Sequence, residues 1–547
     1  MSKLLSRRGF LLVLGGASLL LSSCRKEVPA TATPAASQPV RGGTLVVASI
    51  ADMDSVNELL SANSRAADDV LYRVFSHLLD EQPDFTDHPP TFKPELAERW
   101  EWSPDHLTLT FHLRKDALWS DGVPITAEDV RFTWPAQTSP EIAWDTFYMK
   151  EHIRDVEVVD AHTVRFHFTR LGPSMLVEAN EGLILPKHVW GQVPFAKWRE
   201  SGDFFRDHLV VSGPFKLERW TPQQEIVLAR NERYWNPELP YVDKVVVRII
   251  PDVQNRVTQL LAGSIDLLEQ VPMADLPRIE AAPHLELTSF WHRTYQFVAW
   301  NARNPLFATK ELRRALTLAI DRQGLVDALW GKWARVADSP IVQNVWAHND
   351  ALVPWPYDPA EARRLLAEQG FKDTDGDGIL DRDGRKFSFE LITNQGNSAR
   401  MNAVVMIQEQ LKKVGIEVQP RILEFNALNE AMTERKYDAV LSAWGMPTTL
   451  DLRYAYHSDS IDDGDNHTFY KNPEVDRIIE EIERLPDITE AKALLDRAQL
   501  LIHEDQPLTF LWESQRINGL NRRVENAQSN LFSTLWHLHE WWLQPSP

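Results

Sequence analysis

The sequence predicts a mixed α/β fold divided into two or more lobes. Two observations carry that reading. Stretches with strand periodicity alternate with stretches of helical periodicity along the body of the chain, and no internal repeat runs through them. About 505 of the 547 residues follow a short leader and tether, more than a single hydrophobic core takes up.

The elements follow in order. Gly43–Ile50 (GTLVVASI) is a short apolar run that predicts a buried strand. Arg65–Asp80 carries Val70, Leu71, Val74, Phe75, Leu78 and Leu79 at helical spacing. Leu107–Leu113 alternates apolar and polar residues as a half-buried strand does, and Thr163–Phe168 repeats the pattern. Between them Asp121, Gly122 and Pro124 form a turn, and Thr126 with Asp129 three residues on reads as a helix start. Ile226–Arg230 and Lys244–Ile250 are further strands. Leu312–Leu329 predicts one helix with Leu312, Ala315, Leu316, Ala319, Ile320 and Leu325 on its buried side. Asn402–Val414 predicts another, stopped by Gly415 and followed by a strand over Ile416–Ile422. Phe387–Ile392 and Tyr437–Trp444 complete the strands, and the paired Trp541-Trp542 is expected to be packing.

The beginning of the chain reads differently. Ser6–Cys24 (SRRGFLLVLGGASLLLSSC) has a charged start at Arg7 and Arg8, an apolar run from Phe10 to Leu21 and a small-residue exit. The run is too short for a stable membrane anchor, so residues 1–23 are expected to be a secretory signal. Ser-Arg-Arg-Gly-Phe-Leu resembles the twin-arginine export signal, with Leu12 where that signal usually has Lys. Leu-Ser-Ser-Cys resembles the lipobox of bacterial lipoproteins, in which the Cys becomes the lipidated N-terminus. Cys24 is the only cysteine in the chain, so its use by lipid leaves no spare thiol to oxidise or mispair. Residues 24–41, rich in Ala, Pro, Thr and Ser, predict a flexible tether. Loss of residues 1–23 takes the net charge from −20 to −23, and so acidic a body argues against nucleic acid as a partner.

Pro94–Trp134 (PELAERWEWSPDHLTLTFHLRKDALWSDGVPITAEDVRFTW) resembles the signature region of the family 5 extracellular solute-binding proteins. These are the oligopeptide- and dipeptide-binding components of ABC importers. The resemblance continues in order through Ser212–Trp220, Leu228–Asp252, Leu260–Pro272, Glu311–Ala334, Asp358–Phe371 and Met406–Gln419. It implies a two-lobed periplasmic binding protein fold of class II type, hinged to close around a ligand, with an extra domain inserted in the first lobe. By motif, lobe one takes residues 42–79, 204–301 and 521–547, the inserted domain 80–203, and lobe two 302–520. The implied protein is a membrane-anchored monomer of the periplasm or cell surface, serving an inner-membrane ABC permease and needing no cofactor.

Ala443–Ser458 (AWGMPTTLDLRYAYHS) is similar to the segment where family members place a Trp and then an acid that pairs with the ligand's amino terminus. Trp444 is present. The acidic position three residues on holds Pro447, and the next acid is Asp451. Trp291 and Tyr295, in Phe290–Asn301 near the implied hinge, are candidates for the cleft wall, and Asp52 and Asn466 are further candidates for ligand contact. The 20 Trp residues leave an oligosaccharide open as an alternative ligand, as does the presence of sugar- and nickel-complex-binding relatives in the family.

Asp373–Asp381 (DTDGDGILD) sets carboxylates at alternate positions on a Gly-rich turn, the arrangement a hard cation needs. Asp373, Asp375 and Asp377, the Ile379 carbonyl and Asp381 fit a calcium loop. Gly384 stands where a bidentate Glu would close it, with Asp383 one residue earlier. A structural calcium far from the cleft is the expectation. The competing class is a secreted hydrolase. No Gly-x-Ser-x-Gly elbow, His-Glu-x-x-His helix or P-loop occurs, and the sole Cys lies in the leader. A pair of carboxylates for glycoside cleavage remains open, since its spacing is spatial.

Overall fold

The computed structural model describes residues 38–61, 65–528, 530 and 532–544. The leader, Cys24 and most of the tether lie outside these residues. Strands form where alternation or apolar runs predict them: Thr44–Ser49, Thr108–Leu113, Thr163–Phe168, Glu225–Arg230, Lys244–Ile249, Ser388–Asn394, Glu417–Leu423 and Ala439–Gly445. The helix Ala127–Gln137 starts after Thr126, whose amide donates to the Asp129 carboxylate (2.9 Å), half of a capping box. Gly415 ends the helix Ser398–Lys412 region at φ +82°, a left-handed conformation that glycine takes without strain. Trp541 and Trp542 are both buried.

Two expectations fail. The helical spacing over Arg65–Asp80 gives a helix only over Arg65–Val74, and Leu79 and Asp80 belong to the strand Leu79–Glu81. The helix predicted over Leu312–Leu329 is two, Lys310–Ala319 and Arg322–Leu329. Asp321 breaks it: its carboxylate accepts from the Gly324 amide (2.9 Å) and caps the second helix, while its own amide donates to Gln410 Oε1 (3.0 Å).

The strands join into one large sheet. Its order runs Glu417–Leu423, Ser388–Asn394, Ala439–Gly445, Leu285–Trp300, Leu508–Asn521, Leu267–Leu268, Thr44–Ser49, Lys244–Ile249, Glu225–Arg230, Phe215–Thr221. The two central strands are the longest, 16 and 14 residues, and belong to both lobes. Leu285–Trp291 pairs with Asn521–Gln515 on the first-lobe side. Tyr295–Ala299 pairs with Glu513–Leu508 on the second-lobe side, where Ala439–Gly445 adds on the far edge. Between these halves His292, Arg293 and Thr294 face Ser514 alone, a bulge that breaks the ladder. Residues 301 and 521 lie at the ends of these strands, whereas the register break lies inside them, at 292–294 and 514.

Beside the bulge the Arg335 guanidinium donates twice to the buried Glu513 carboxylate (2.7 and 2.9 Å) and lies 4.0 Å above the Trp291 ring. Separate cores flank it. Leu45, Val245, Trp119 and Trp190 belong to the first-lobe core, and Tyr295, Phe510, Val440 and Ile502 to one of the two second-lobe cores. Each large apolar side chain so buried contributes about 1.5–3 kcal/mol.

A second, four-stranded antiparallel sheet lies within the segment expected as an insertion: Ala97–Trp102, Thr108–Leu113, Thr163–Phe168, Ile153–Asp160. Its apolar face (Leu109, Phe111, Val164, Phe166) is continuous with the first-lobe core. Several contacts carry this segment to the second lobe, among them the Arg170 guanidinium donating to the Glu483 carbonyl (3.4 Å). Phe85 is buried in the second-lobe core, and Tyr148 packs on Tyr454 with ring centres 5.6 Å apart.

Glu58 ties the first lobe to the same segment, its Oε2 accepting from the Leu183 amide (2.8 Å). Burial pushes its carboxyl from 4.5 up to about 8. A carboxyl raised in the folded state holds its proton more tightly than the unfolded chain does. Its contribution to stability is therefore whole below pH 4.5 and is lost as the pH climbs through 8. Glu58→Gln keeps an acceptor for Leu183 without the charge. Thermal melts are expected to show this variant more stable than the parent at about pH 8.5 and little changed at about pH 5. Equal shifts at both pH values would contradict the account.

Candidate functional site

Between the lobes, in front of the bulge, lies a cavity of about 240 Å³. The helix Arg65–Val74 forms one wall. Its apolar positions Val70, Leu71 and Val74 are buried in the first-lobe core, which turns Arg65, Asp68, Asp69 and Tyr72 toward the cavity. Asp80 and Glu81 follow in the strand Leu79–Glu81. Glu181 closes the end of the helix Met175–Asn180, Arg293 comes from the bulge, and Thr448 from the loop after Ala439–Gly445. Trp536 is the tryptophan on this wall. A second cavity of about 310 Å³ adjoins it across Arg65 and Asp69, lined by residues 47–51, Arg256 and Glu269.

The cations here are engaged. Arg65 pairs with Glu269 (3.3 Å) and Asp69 (3.7 Å). Arg73 donates to the carbonyls of Tyr72 (3.2 Å) and Trp536 (3.1 Å), and Arg293 to that of Met446 (2.6 Å). Asp80 is paired with His537 (3.2 Å). Other carboxylates are less well served. Glu81 Oε1 is buried with no hydrogen-bond partner among the described residues, with the Arg293 guanidinium as the nearest cationic influence on its carboxyl. Burial pushes the Glu81 carboxyl up to about 7 and those of Asp68 and Asp69 up to about 6, and it raises Glu181 as well. Burial also lowers His77 to about 4, so its imidazole stays neutral.

The residues singled out from sequence fall in several places. Trp444 is half-buried on its strand, in register with Tyr295, and packs against the second-lobe core. Tyr295, expected on the cleft wall, is 1% exposed, its hydroxyl bonded to that of Tyr456 (3.1 Å), because its strand position faces the core. Trp291 lies at the bulge under Arg335. Asp52 accepts from Trp220 Nε1 (3.0 Å) and the Gln223 amide (2.7 Å), which occupies both its oxygens. Asn466 is fully buried and spends its amide on the His457 and Tyr470 carbonyls (3.0 and 2.8 Å). Asp451 is exposed and accepts from the Arg453 amide (2.7 Å) at the start of the helix Arg453–Tyr456; surrounding protein raises its carboxyl. It lines neither cavity.

Sequence reasoning did not single out Glu81, Glu181, Arg293 or Thr448. Arg293 and Thr448 sit inside the two stretches it examined, Phe290–Asn301 and Ala443–Ser458. Glu81 and Glu181 carry no motif, and the fold alone brings them together.

A model of the bacterial extracellular solute-binding proteins, family 5 Middle, matches residues 91–466. The chain belongs to that family. Family 5 proteins similar to it include the oligopeptide-binding protein AppA of Bacillus subtilis, 34% identical over 535 residues, which span 96% of each chain. The solved structure of AppA in complex with a nonapeptide superposes with a TM-score of 0.77 at 33% identity, covering 93% of this chain and all of that one. NikZ of Campylobacter jejuni, solved in complex with Ni(L-His), shares the fold: TM-score 0.77, 24% identity, 91% and 99% covered.

The Asp373–Asp381 loop has its carboxylates close together, with oxygens of Asp373, Asp375 and Asp377 all within 4.8 Å of one another. Asp373 accepts from the amides of Gly376 (2.7 Å) and Gly378 (3.0 Å). Asp381 is committed to Thr374, through its amide (3.0 Å) and hydroxyl (2.7 Å). The Lys386 ammonium sits against Asp377 and 3.3 Å from Asp375, where it supplies the positive charge the loop needs. A calcium ion has to compete with that ammonium. Thermal melts in millimolar calcium are expected to show a larger stabilisation of Lys386→Ala than of the parent. Equal shifts, or none in either, would mean that the loop has no use for the ion.

Proposed function

We propose that the chain is a lipid-anchored extracytoplasmic binding protein that captures a peptide between its lobes and delivers it to the membrane permease of an ABC importer. The observation that carries the reading is the full-length similarity to an oligopeptide-binding protein whose structure holds a nonapeptide. The cleft suits such a ligand. Two cavities adjoin there, one more polar and the other more apolar, with Arg65 and Asp69 on the wall they share. Closure follows rotation about the bulge, a hinge motion around a bound ligand. The protein acts as a monomer. Residues 1–23 are removed on export and Cys24 is acylated, which holds the body at the membrane through the tether. Several acyl chains anchor firmly where a single one binds weakly, each buried CH₂ contributing about 0.8 kcal/mol.

Mass spectrometry of the protein extracted from membranes tests both parts. The intact mass is expected to lack residues 1–23 and to carry acyl chains on Cys24. Under native conditions, followed by denaturation, it is expected to release a heterogeneous set of short peptides. Hexose-spaced masses would overturn the peptide assignment, and an unacylated Cys24 would overturn the anchor.

A further inference from the structure

We propose that the hairpin formed by Leu79–Glu81 and Phe92–Pro94 is a clasp between the lobes, with Phe85 at its tip as the catch. Seated as it is here, Phe85 holds the second lobe against the ligand cavity, and it leaves its seat when the lobes part. This rests on the reading that a peptide is captured by rotation of the lobes. Phe85 lines neither cavity, so it is a positioning residue for that capture.

The hairpin is rooted in one lobe and seated in the other. At its base Leu79 is buried in the first-lobe core, where its amide donates to Asn180 Oδ1 (2.8 Å) and its carbonyl accepts from Asn180 Nδ2 (3.0 Å). The Gln82 amide donates to the Thr91 carbonyl (2.8 Å), and the Asp84 carboxylate accepts from the Thr91 amide (3.0 Å) and hydroxyl, which ties the tip into one unit. Asp84, Thr86, Asp87 and His88 are exposed, yet Phe85 among them is 2% exposed. Its ring lies in the second-lobe core, and its carbonyl accepts from the Trp346 amide (3.1 Å). Nothing in so polar a tip needs a large apolar side chain, so the burial of this one belongs to docking on the other lobe. The other ring contact from the inserted segment is looser: Tyr148 and Tyr454 stay 42% and 39% exposed. The seat is also shared with the ligand cavity. Phe85 packs on Phe532 (ring centres 5.6 Å apart), Phe532 on Trp536 (4.7 Å) and Trp536 on Tyr72 (6.2 Å), and these last three line the cavity. A ligand that packs on Phe532 and Trp536 steadies the surface on which Phe85 sits. The two long strands cross between the lobes covalently. The hairpin crosses by one ring and one backbone hydrogen bond, a contact able to open and re-form as the lobes rotate.

Spin labels test the release on the chain with Cys24 replaced, freed of copurified ligand, with a nonapeptide pool as the probe. One pair is set at Thr86 on the tip and Val353 in the second lobe, both exposed. The other, at Val123 and Val353, reports the lobes as a whole. Both distances are expected to be long and broad without peptide, and short and single with it. Phe85→Ala is expected to weaken binding of the pool about ten- to a hundredfold, through faster dissociation at an association rate little changed. It is also expected to keep a long-distance population at Val123–Val353 with peptide bound. Phe85→Leu, which keeps an apolar catch, is expected to recover most of the loss. Should Phe85→Ala fail to fold, Asp84→Ala, which loosens the exposed tip, is expected to speed dissociation and shift the distances the same way. If Val123–Val353 responds to peptide while Thr86–Val353 does not, the clasp is wrong and the capture reading stands. The same holds if Phe85→Ala lowers the melting temperature but releases peptide at the parent's rate. If the pool does not bind, or moves neither distance, the capture reading falls and this proposal with it.

Discussion

Everything in this molecule hangs on two antiparallel strands. Leu285–Trp300 and Leu508–Asn521 run through the middle of the large sheet and carry both lobes on one continuous backbone. A ladder of backbone hydrogen bonds is stiff along its length, and it yields where the register breaks. The break at His292–Thr294, opposite Ser514, lies between the two halves of the pairing. Strand residues on one side are locked into the first-lobe core and those on the other into the second. The Glu513–Arg335 pair and the Trp291 ring fill the joint itself. Removing Arg335 leaves the buried Glu513 carboxylate without its counter-charge, so the joint tolerates that change poorly.

The cleft inherits its chemistry from that arrangement. The bulge projects Arg293 forward, the first-lobe helix offers its polar face, and the inserted segment brings Glu181 to the same space. The result is a cavity lined by five carboxyl groups and three guanidinium groups among the described residues.

Much of the fold was legible in the sequence. Alternation in Thr108–Leu113 and Thr163–Phe168 faces one side of a sheet on a core, and that physics is local. The break at Asp321 was missed because the apolar spacing continues across it, and the cap that interrupts it depends on Gln410 in a distant helix. The site was less legible. Tyr295 and Asn466 are the residue types that line clefts, yet which way a strand residue points, or which carbonyls an amide meets, is set by tertiary pairing. Trp behaves likewise: Trp119, Trp190, Trp198, Trp300, Trp512 and Trp541 are fully buried, so their number reflects core packing. Glu81 and Glu181 lie a hundred residues apart in different sheets' neighbourhoods, and only the assembled cleft relates them.

The central claim is that ligand capture is rotation of the lobes about the strand bulge. Because Cys24 is the only cysteine, spin labels can be placed at will once it is replaced. Cysteines at Val123 in the inserted segment and Val353 in the second lobe, both exposed, report the separation of the two sides by pulsed dipolar spectroscopy. The account predicts a long, broad distance distribution in the ligand-free protein and a single shorter distance when the peptides released from the native protein are added back. The same distribution with and without those peptides would contradict it.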